Sequence, residues 1–318
     1  MENNEKIRIG ISECLLGHEV RYDGGHKHDG FLTGTLGRYV DYVAVCPEVE
    51  YGLSVPREAM RLEGDLERPR LVSIKTRVDH TEGMLAYART RTESLEAENL
   101  CGFIFKSKSP SSGMERVKVY TGSGAPVKKG VGLFAGVFKA HFPLVPVEEE
   151  GRLHDPVLRE NFIERIFAMK RWRDLLDSGR HIGGLVAFHS RNKLLILSHS
   201  PQIHREMGKL VAAAKSTGTA EAFAQYESLM MRALSLKATP GKHANVLQHM
   251  LGYFKKDLTP DEKQEILEII DKYKQGSVPL IVPATLMQHY VRKYEQHYLA
   301  QQTYLNPHPL ELKLRNHV

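Results

Sequence analysis

The chain has 318 residues, 42% of them apolar and 26% charged, and its formal net charge is +6. This is the composition of an ordinary globular protein, and the length favours two domains. A membrane span is not expected because no run of about 18 apolar residues occurs. The polar start MENNEKIRIG is typical of neither a signal peptide nor a transit peptide, so we expect a cytoplasmic protein.

The positive charge is concentrated in the C-terminal half. From Pro156 onward there are 23 Lys and Arg against 15 Asp and Glu, a balance of +8, whereas the residues before it have 21 against 23. A solvated basic surface explains this excess as well as a polyanion-binding half does. The second interpretation rests on counterion release, by which Lys and Arg gain affinity for phosphates.

The N-terminal half alternates short apolar segments with helical ones. This alternation predicts an α/β domain, a mostly parallel sheet covered by helices. The predicted strands are 7–14, 42–46, 101–105 and 117–120, with a loop passing into an exposed strand between Val55 and Ile74. The predicted helices are 31–39, 79–99 and 130–142, and a turn is expected over 121–130.

The pattern of apolar and polar residues changes near Pro156, where long amphipathic stretches begin. They predict a mainly α-helical domain over residues 156–318, following an α/β domain over 1–155. The predicted helices are 156–178, 202–216, 219–236, 242–255, 260–274 and 284–302. The segment 184–198, near whose end the run LLILSHS begins, is predicted to hold a little strand.

Three predicted strands end in loops that carry reactive side chains. The first delivers Cys14, the second delivers Cys46 and Glu48, and the third delivers Ser109 to Gly113. Open α/β sheets bind ligands at such strand ends. Cys101 is at the opposite end of the third strand, about 26 Å from Ser109 if extended, so we expect a buried thiol there.

Cys14 and Cys46 are by themselves a weak metal site. Structural zinc and iron–sulfur centres usually take three or four protein ligands, and the chain has no CxxC motif. From the residues alone, a metal-binding pair and two buried or incidental thiols both remain open.

Longer motifs carry a family resemblance. The segments SECLLGHEVRYDGG, CPEVEYGLSVPREAMRL and KSKSPSSGMERVKVY resemble the thiouracil desulfurase family in order and spacing. The helical half resembles the YbgA-type domain fused to it in some bacterial proteins. Two-domain members resemble the tRNA 4-thiouridine desulfidases, which remove sulfur from the modified base and leave uridine.

The resemblance implies a [4Fe-4S] cluster held by three cysteines, with the fourth iron open to the substrate sulfur. Cys14 and Cys46 match two ligands, but Ser112 occupies the position of the third cysteine. A serine oxygen ligates iron poorly compared with a thiolate, so we expect an absent or degraded cluster. Ser112 is either an introduced substitution or a natural change in an altered member, and we favour the first because the surrounding motif is intact.

The same resemblance implies roles for the neighbours of the ligands. Glu48 matches the acidic catalytic residue, and Ser109 matches a residue that hydrogen-bonds the base or its developing charge. Glu48 could instead cap a helix or pair with Arg57, and Ser109 could be a simple turn former. Further candidates for substrate contact are Arg21, Tyr22, Asp23, Arg57 and Gly113.

Basic side chains of the helical half are candidates for contact with tRNA. They are Lys170, Arg171, Arg173, Lys255, Lys256, Arg292 and Lys293. Tyr290, Tyr294 and Tyr298 would form one stripe on a continuous helix, which favours core packing over a base-stacking platform. The spacing around Gly130 and Gly132 does not fit a dinucleotide fingerprint, so no NAD is expected.

The leading hypothesis is therefore [4Fe-4S]-dependent desulfuration of 4-thiouridine in tRNA. One alternative keeps the same site but acts on free thiouracil or thiouridine. Another is a tRNA-binding protein that has lost its cluster, which would be consistent with Ser112.

Overall fold

The computed structural model describes residues 6–122 and 125–317 and divides between Asp155 and Pro156 into two compact units. The N-terminal unit combines parallel-rich sheets with helices, and the C-terminal unit is helical, so the predicted fold class is confirmed. Within its described residues, the N-terminal unit has eight strands: β1 (Ile7–Ser12), β2 (Val40–Val45), β3 (Met60–Gly64), β4 (Pro69–Ser73), β5 (Gly102–Phe105), β6 (Val117–Tyr120), β7 (Val127–Gly130) and β8 (Val147–Glu149).

The first sheet has the order β2-β1-β5-β8, and every neighbouring pair in it is parallel. Successive strands therefore start from the same edge, and β1 has partners on both sides. Such a sheet has its binding crevice at the carboxyl ends of the strands, where the chain order switches direction. The predicted strands 7–14, 42–46 and 101–105 all belong to this sheet.

The second sheet was not predicted. Its order is β4-β3-β6-β7, with two antiparallel pairs joined by a parallel one between β3 and β6. The predicted loop and exposed strand between Val55 and Ile74 are in fact the β3–β4 hairpin. The turn predicted over 121–130 contains β7, and its residues 123–124 lie outside the described residues.

Three helices accompany these sheets: α1 (Pro47–Glu50), α2 (Thr81–Ser94) and α3 (Leu133–His141). The segment predicted as a helix over 31–39 forms a short π-type turn followed by a 3-10 turn. Side chains of α2 and α3 contribute to the cores of both sheets. Phe103 and Phe105 of β5 pack with Phe134 and Phe138 of α3, with ring centroids 4.3 to 6.3 Å apart.

The start of α3 makes close backbone contact with the loop that follows β5. The amide nitrogens of Gly132, Leu133 and Ala135 donate to the carbonyl oxygens of Gly113, Pro110 and Ser111, respectively, over 2.8 to 3.2 Å. A Cβ atom on Gly132 would lie only 2.5 Å from the Ser111 carbonyl carbon and oxygen. Only glycine permits this approach, and sequence reasoning had left Gly132 without a role.

The C-terminal unit consists of helices joined by short connections. Trp172 lies at its centre, buried and stacked on Tyr226 with ring centroids 5.3 Å apart. The helices are α4 (Pro156–Asp177), α5 (Ile182–His199), α6 (Pro201–Thr217), α7 (Thr219–Ser235), α8 (Pro240–Leu251), α9 (Pro260–Lys274), α10 (Ile281–Lys293) and α11 (His297–Ala300).

Two predictions for this unit are wrong. The segment 184–198 holds no strand, because the whole of it lies within α5, where Leu185, Phe188 and the run from Leu194 to Ile196 are buried. The stretch 284–302 is not one helix, because α10 ends at Lys293 and Glu295 has a positive φ of 48°. Tyr298 therefore lies on α11, and the tyrosines do not form one continuous stripe.

Among the described residues, every helix is too short or too polar to cross a membrane.

Adding a side chain at position 132 tests the contact between α3 and the loop. Gly132→Ala should lower the free energy of unfolding of the N-terminal unit by about 1–3 kcal/mol, because the backbone of Ser111 must move. Gly136→Ala is the matched control on the same helix. The new Cβ would lie 3.8 Å from its nearest neighbour, Val131 Cγ1, which is an ordinary contact. This variant should therefore raise the free energy of unfolding by about 0.5–1 kcal/mol.

Urea unfolding followed by circular dichroism measures both variants. Trp172 is the single tryptophan and belongs to the C-terminal unit, so its fluorescence reports on that unit. Equal unfolding midpoints for the two variants would contradict the proposed close contact.

Candidate functional site

The carboxyl ends of β1, β2 and β5 open into one cavity of about 410 Å³. In the parallel register Ser12 lies beside Val45, and Ile11 lies beside Ile104, so the three strands end at the same level of the sheet. The cavity is lined by Cys14 after β1, by Cys46 after β2 and by Ser112 after β5. The structure thus brings together the three positions that sequence reasoning singled out as ligands.

The loop after β5 is fixed at both ends by carboxylates that follow or end β8. Glu150 accepts hydrogen bonds from the Ser107 amide and hydroxyl at 2.6 and 2.7 Å and pairs with Lys106. Glu149 Oε1 accepts from the Met114 amide at 2.8 Å. The sequence analysis did not single out Glu149 and Glu150, because an acidic run such as EEE resembles a solvated surface.

Neighbouring serines of this loop point in different directions. Ser112 lines the cavity, whereas Ser111 is fully buried, and its hydroxyl donates to Glu48 Oε1. Ser109 Oγ accepts from the amide of Ser112 at 3.1 Å and lies 2.9 Å from Ser111 Oγ. Since the Ser111 proton is used on Glu48, the Ser109 hydroxyl is left to donate to Ser111 Oγ or, at 3.5 Å, to Glu48 Oε1. Both arrangements link the two serine hydroxyls to Glu48.

Glu48 projects into the cavity from the first turn of α1. Its Oε1 is held by Ser111, and its Oε2 lies 3.6 Å from Cys46 Sγ and 3.9 Å from Arg57 Nη2. Glu48 thus pairs with Arg57 at long range, as one alternative expected, and it also faces the cavity, whereas its catalytic role stays a prediction. The carboxylate has a fixed orientation, with Oε2 directed to the same side as the Cys46 thiol.

Burial raises the pKa of both cavity thiols. The pKa of Cys14 rises to about 11, against an opposing effect of Lys106 and Arg21, and that of Cys46 rises to about 12. Both thiols are protonated at neutral pH in the absence of a metal. Binding of a thiophilic metal must therefore displace two protons, after which Lys106 and Arg21 stabilise the thiolate at Cys14.

The other substrate-contact candidates divide into two groups. Arg21, Tyr22 and Arg57 line the cavity, and Arg57 Nη1 also donates to the Val20 carbonyl at 3.0 Å. Asp23 and Gly113 lie outside its lining as the described residues define it. A Cβ on Gly113 would lie 2.4 Å from Val117 Cγ2, so close packing of the loop accounts for this glycine.

Cys101 takes no part in the cavity. It lies at the amino end of β5, is 2% exposed, and its amide donates to the Arg8 carbonyl at 2.8 Å. The expectation of a buried thiol at this position is confirmed.

The basic candidates of the helical unit occupy different environments. Lys255, Lys256 and Arg292 are exposed, and Lys293 is exposed but pairs with Glu262. Lys170 pairs with Asp174. The remaining two, Arg171 and Arg173, lie on α4, and the Arg171 guanidinium donates to the Pro307 carbonyl.

A second cluster of potential ligands lies inside the helical unit. Glu160, Glu164 and His308 place one ligand atom each within 4.8 Å of one another. Arg315 pairs with both carboxylates, at 3.4 Å from Glu160 Oε1 and 3.0 Å from Glu164 Oε1. Because a guanidinium already supplies the cation, this cluster is a buried ion-pair network.

Comparison with known proteins follows the division into units. Residues 9–150 match the family model of 2-thiouracil desulfurase, and residues 193–309 match that of DUF1722, described as a protein of unknown function. The uncharacterized protein YbgA of Escherichia coli (strain K12) is 34% identical over 153 residues, which are 48% of this chain and 90% of that protein.

The chain joins a 2-thiouracil desulfurase domain to a YbgA-type domain. The resemblance seen in the sequence motifs is thus confirmed for both units. A solved structure of the [4Fe-4S]-dependent thiouracil desulfidase TudS aligns with 47% of this chain and 95% of its own, at 29% identity and a TM-score of 0.40. The cavity residues from Ser12 to Ser112 all lie within the desulfurase match.

The raised thiol pKa values predict slow alkylation of Cys14 and Cys46 in the metal-free protein. A rise from 9.0 to about 11 lowers the thiolate fraction of Cys14 at pH 7 about 100-fold, and Cys46 falls further. Iodoacetamide labelling followed by mass spectrometry should therefore give rates that climb between pH 7 and pH 10 without reaching a plateau.

The same protein unfolded in urea is the control and should label quickly at every cysteine. A plateau at or below pH 9 in the folded protein would show that the pKa values are not raised.

Proposed function

We propose that this chain is a hydrolytic desulfidase of thiolated pyrimidines and that its substrate is 4-thiouridine in tRNA. The reaction exchanges C=S and water for C=O and hydrogen sulfide. The observation that carries the proposal is the single cavity that two thiols, Ser112 and Glu48 share, within the segment that matches the desulfurase family. Its volume of about 410 Å³ is sufficient for a pyrimidine base.

The donor set of this cavity fits an iron–sulfur cluster at two of three positions. Cys14 and Cys46 offer the soft ligands that such clusters require, and Ser112 offers a hydroxyl oxygen at the third position. When bound, a [4Fe-4S] cluster would supply a thiophilic, Lewis-acidic iron able to polarise the C=S bond. With Ser112 in place, the cluster would be held weakly and the enzyme would be impaired.

Glu48 is the residue that would act as the general base. Its Oε1 is fixed by Ser111, so Oε2 is the oxygen available to accept a proton from the attacking water. Arg57 Nη2 lies 3.9 Å from Oε2 and places a positive charge beside that oxygen. Ser109 acts through this carboxylate as well as on the base, because its hydroxyl is linked to Ser111 and Glu48.

The helical unit would hold the RNA. Its balance of +8 suits a polyanionic substrate, whereas a free base carries no phosphate and gains nothing from such a surface. Lys255, Lys256 and Arg292 are exposed and therefore able to contact phosphates. The second candidate function is desulfuration of free thiouracil, and the one observation in its favour is that the cavity is large enough for a single base. The other alternative is a tRNA-binding protein without a cluster, and Ser112 is the observation in its favour.

Restoring a thiol at position 112 should restore the cluster. After anaerobic reconstitution with iron and sulfide, Ser112→Cys should bind about four iron atoms per chain and absorb broadly in the visible. The chain with Ser112 should retain several-fold less iron, because its third ligand is an oxygen.

Ser111→Cys is the matched control for this experiment. It adds the same thiol one residue away, on a side chain directed at Glu48. Iron retention should stay at the level of the Ser112 chain. Equal iron contents for Ser112→Cys and the unmodified chain would refute the cluster site.

The Ser112→Cys chain then distinguishes the two substrates. Release of sulfide from 4-thiouridine in tRNA should weaken steeply as salt rises from 50 to 200 mM, since several phosphate contacts cost about 10³-fold or more in affinity over that range. Glu48→Gln in the same background should lower turnover about 10²- to 10⁴-fold while leaving the iron content unchanged.

If the turnover rate of free thiouracil does not change with salt concentration and tRNA is not desulfurated, the second candidate replaces the leading proposal. Restored iron without turnover of either substrate would favour the tRNA-binding alternative.

A further inference from the structure

Two aromatic side chains stack at the surface of the helical unit. Tyr253, in the short 3-10 turn that follows α8, lies against Tyr298 of α11, with ring centroids 5.1 Å apart and ring planes 22° from parallel. Tyr253 is 38% exposed, whereas the core residues Tyr226 and Tyr304 are fully buried. Sequence reasoning missed this pair, because its two members lie on different elements.

The neighbours of Tyr253 fix its ring without covering it. His249, one turn earlier on α8, meets the ring edge-on, with centroids 5.8 Å apart. Phe254, the next residue, is fully buried and holds the turn against the core. The ring is therefore held in place while part of its surface stays open to solvent, so stacking a planar ligand on it would cost little conformational entropy.

Positively charged side chains accompany the stacked pair. Lys193 Nζ, on α5, lies over the Tyr298 ring at 5.0 Å from its centroid. Burial lowers the pKa of the half-buried His204 on α6, and Lys193, His249 and Arg205 lower this pKa further. These side chains of α5, α6 and α8 are therefore within electrostatic reach of one another, and they form one positive region around the two rings.

Carboxylates do not neutralise this region. Within residues 6–122 and 125–317, no Asp or Glu contributes to the pKa of His204 or of Tyr253. Glu206, next in the chain to the arginine of α6, pairs instead with an arginine of α7 at 2.7 Å. Asp257, four residues after Tyr253, accepts a hydrogen bond from Gln296 at 3.0 Å. The cations beside the two rings are thus available to an external anion.

We propose that this surface binds RNA, with an unpaired base stacked on Tyr253 and the neighbouring phosphates held by Lys193 and Arg205. An open aromatic ring within a positive surface is the combination by which proteins bind single-stranded nucleic acid. An acidic protein would pair with the cations but would leave the open ring unused. The inference rests on the proposed function, because it names where the helical unit would hold the tRNA, and it requires no cluster.

Fluorescence anisotropy of a labelled tRNA, titrated with the full chain, measures the contribution of the ring. Tyr253→Leu removes the ring but keeps an apolar side chain, and it should weaken tRNA binding about tenfold, the scale of one stacked base. Tyr253→Phe keeps the ring and should bind within about twofold of the parent chain. Because stacking releases no counterions, the salt dependence of binding should be the same for all three chains.

Removing a cation gives an independent measurement, which keeps the proposal testable if Tyr253→Leu fails to fold. Arg205→Met should reduce the slope of log K against log salt concentration by about one, as expected for one lost phosphate contact. Lys215→Met is the matched control, because it removes a charge about 15 Å farther along α6, and it should leave the slope unchanged. Both residues are exposed, and circular dichroism verifies the fold of each variant.

Heparin, a polyanion without bases, then separates stacking from simple charge attraction. Tyr253→Leu should bind heparin like the parent chain, since heparin has no base to stack. Equal losses for heparin and tRNA, or unchanged tRNA binding by Tyr253→Leu, would overturn this inference and leave the proposed function standing. If the parent chain does not bind tRNA, the inference and the choice of tRNA as substrate are both wrong, and Arg205-dependent heparin binding would then indicate an acidic protein partner.

Discussion

The backbone contact between the start of α3 and the loop after β5 determines the arrangement of the whole candidate site. Three amides of α3 hold three carbonyls of that loop, and the absence of a side chain at Gly132 allows them to meet. With the loop fixed, two adjacent serines point in different directions, so that Ser112 lines the cavity and Ser111 reaches Glu48. A shift of one residue in this loop would exchange those two roles and remove the third ligand position from the cavity.

Two carboxylates, at the last residue of β8 and directly after it, add to this constraint from the other side. Glu149 and Glu150 are used on backbone amides and on Lys106, so they stabilise the loop without facing the substrate. Lys106 thereby remains beside Cys14, where it offsets part of the desolvation of the thiol. The site thus combines a rigid backbone with a positive environment, and both conditions favour an anionic set of ligands.

In the helical unit, by contrast, buried charged side chains are paired with one another. Arg315 joins the C-terminal segment to α4 through Glu160 and Glu164, and Glu164 also accepts from His199 at 3.1 Å. This network is closed, since each ion within it has an opposite charge nearby. The Arg171 guanidinium, on the same helix, is held instead by a backbone group, the Pro307 carbonyl, at 2.9 Å from Nη1.

Sequence reasoning identified the elements whose signal is local. Strand β5 is a short apolar run before a Ser-Pro-Gly loop, and helices such as α9 begin with a Thr-Pro cap and carry a periodic apolar face. It failed where two structures share one pattern. LLILSHS fits a strand, but no residue of α5 is exposed over 192–199, so burial hid the helical period. The second sheet was missed because its hairpin alternates weakly and is charged on one face.

The sequence by itself determined the fold class, the two kinds of unit and the three strand ends that carry Cys14, Cys46 and Ser112. Motif spacing was sufficient for this, because parallel strands bring their carboxyl ends to one edge. Only the tertiary structure decided which serine faces the cavity, what orients Glu48 and which carboxylates hold the loop after β5. Those answers depend on contacts between residues distant in the chain, such as Gly132 with Gly113 and Ser111 with Glu48, and no local pattern records them.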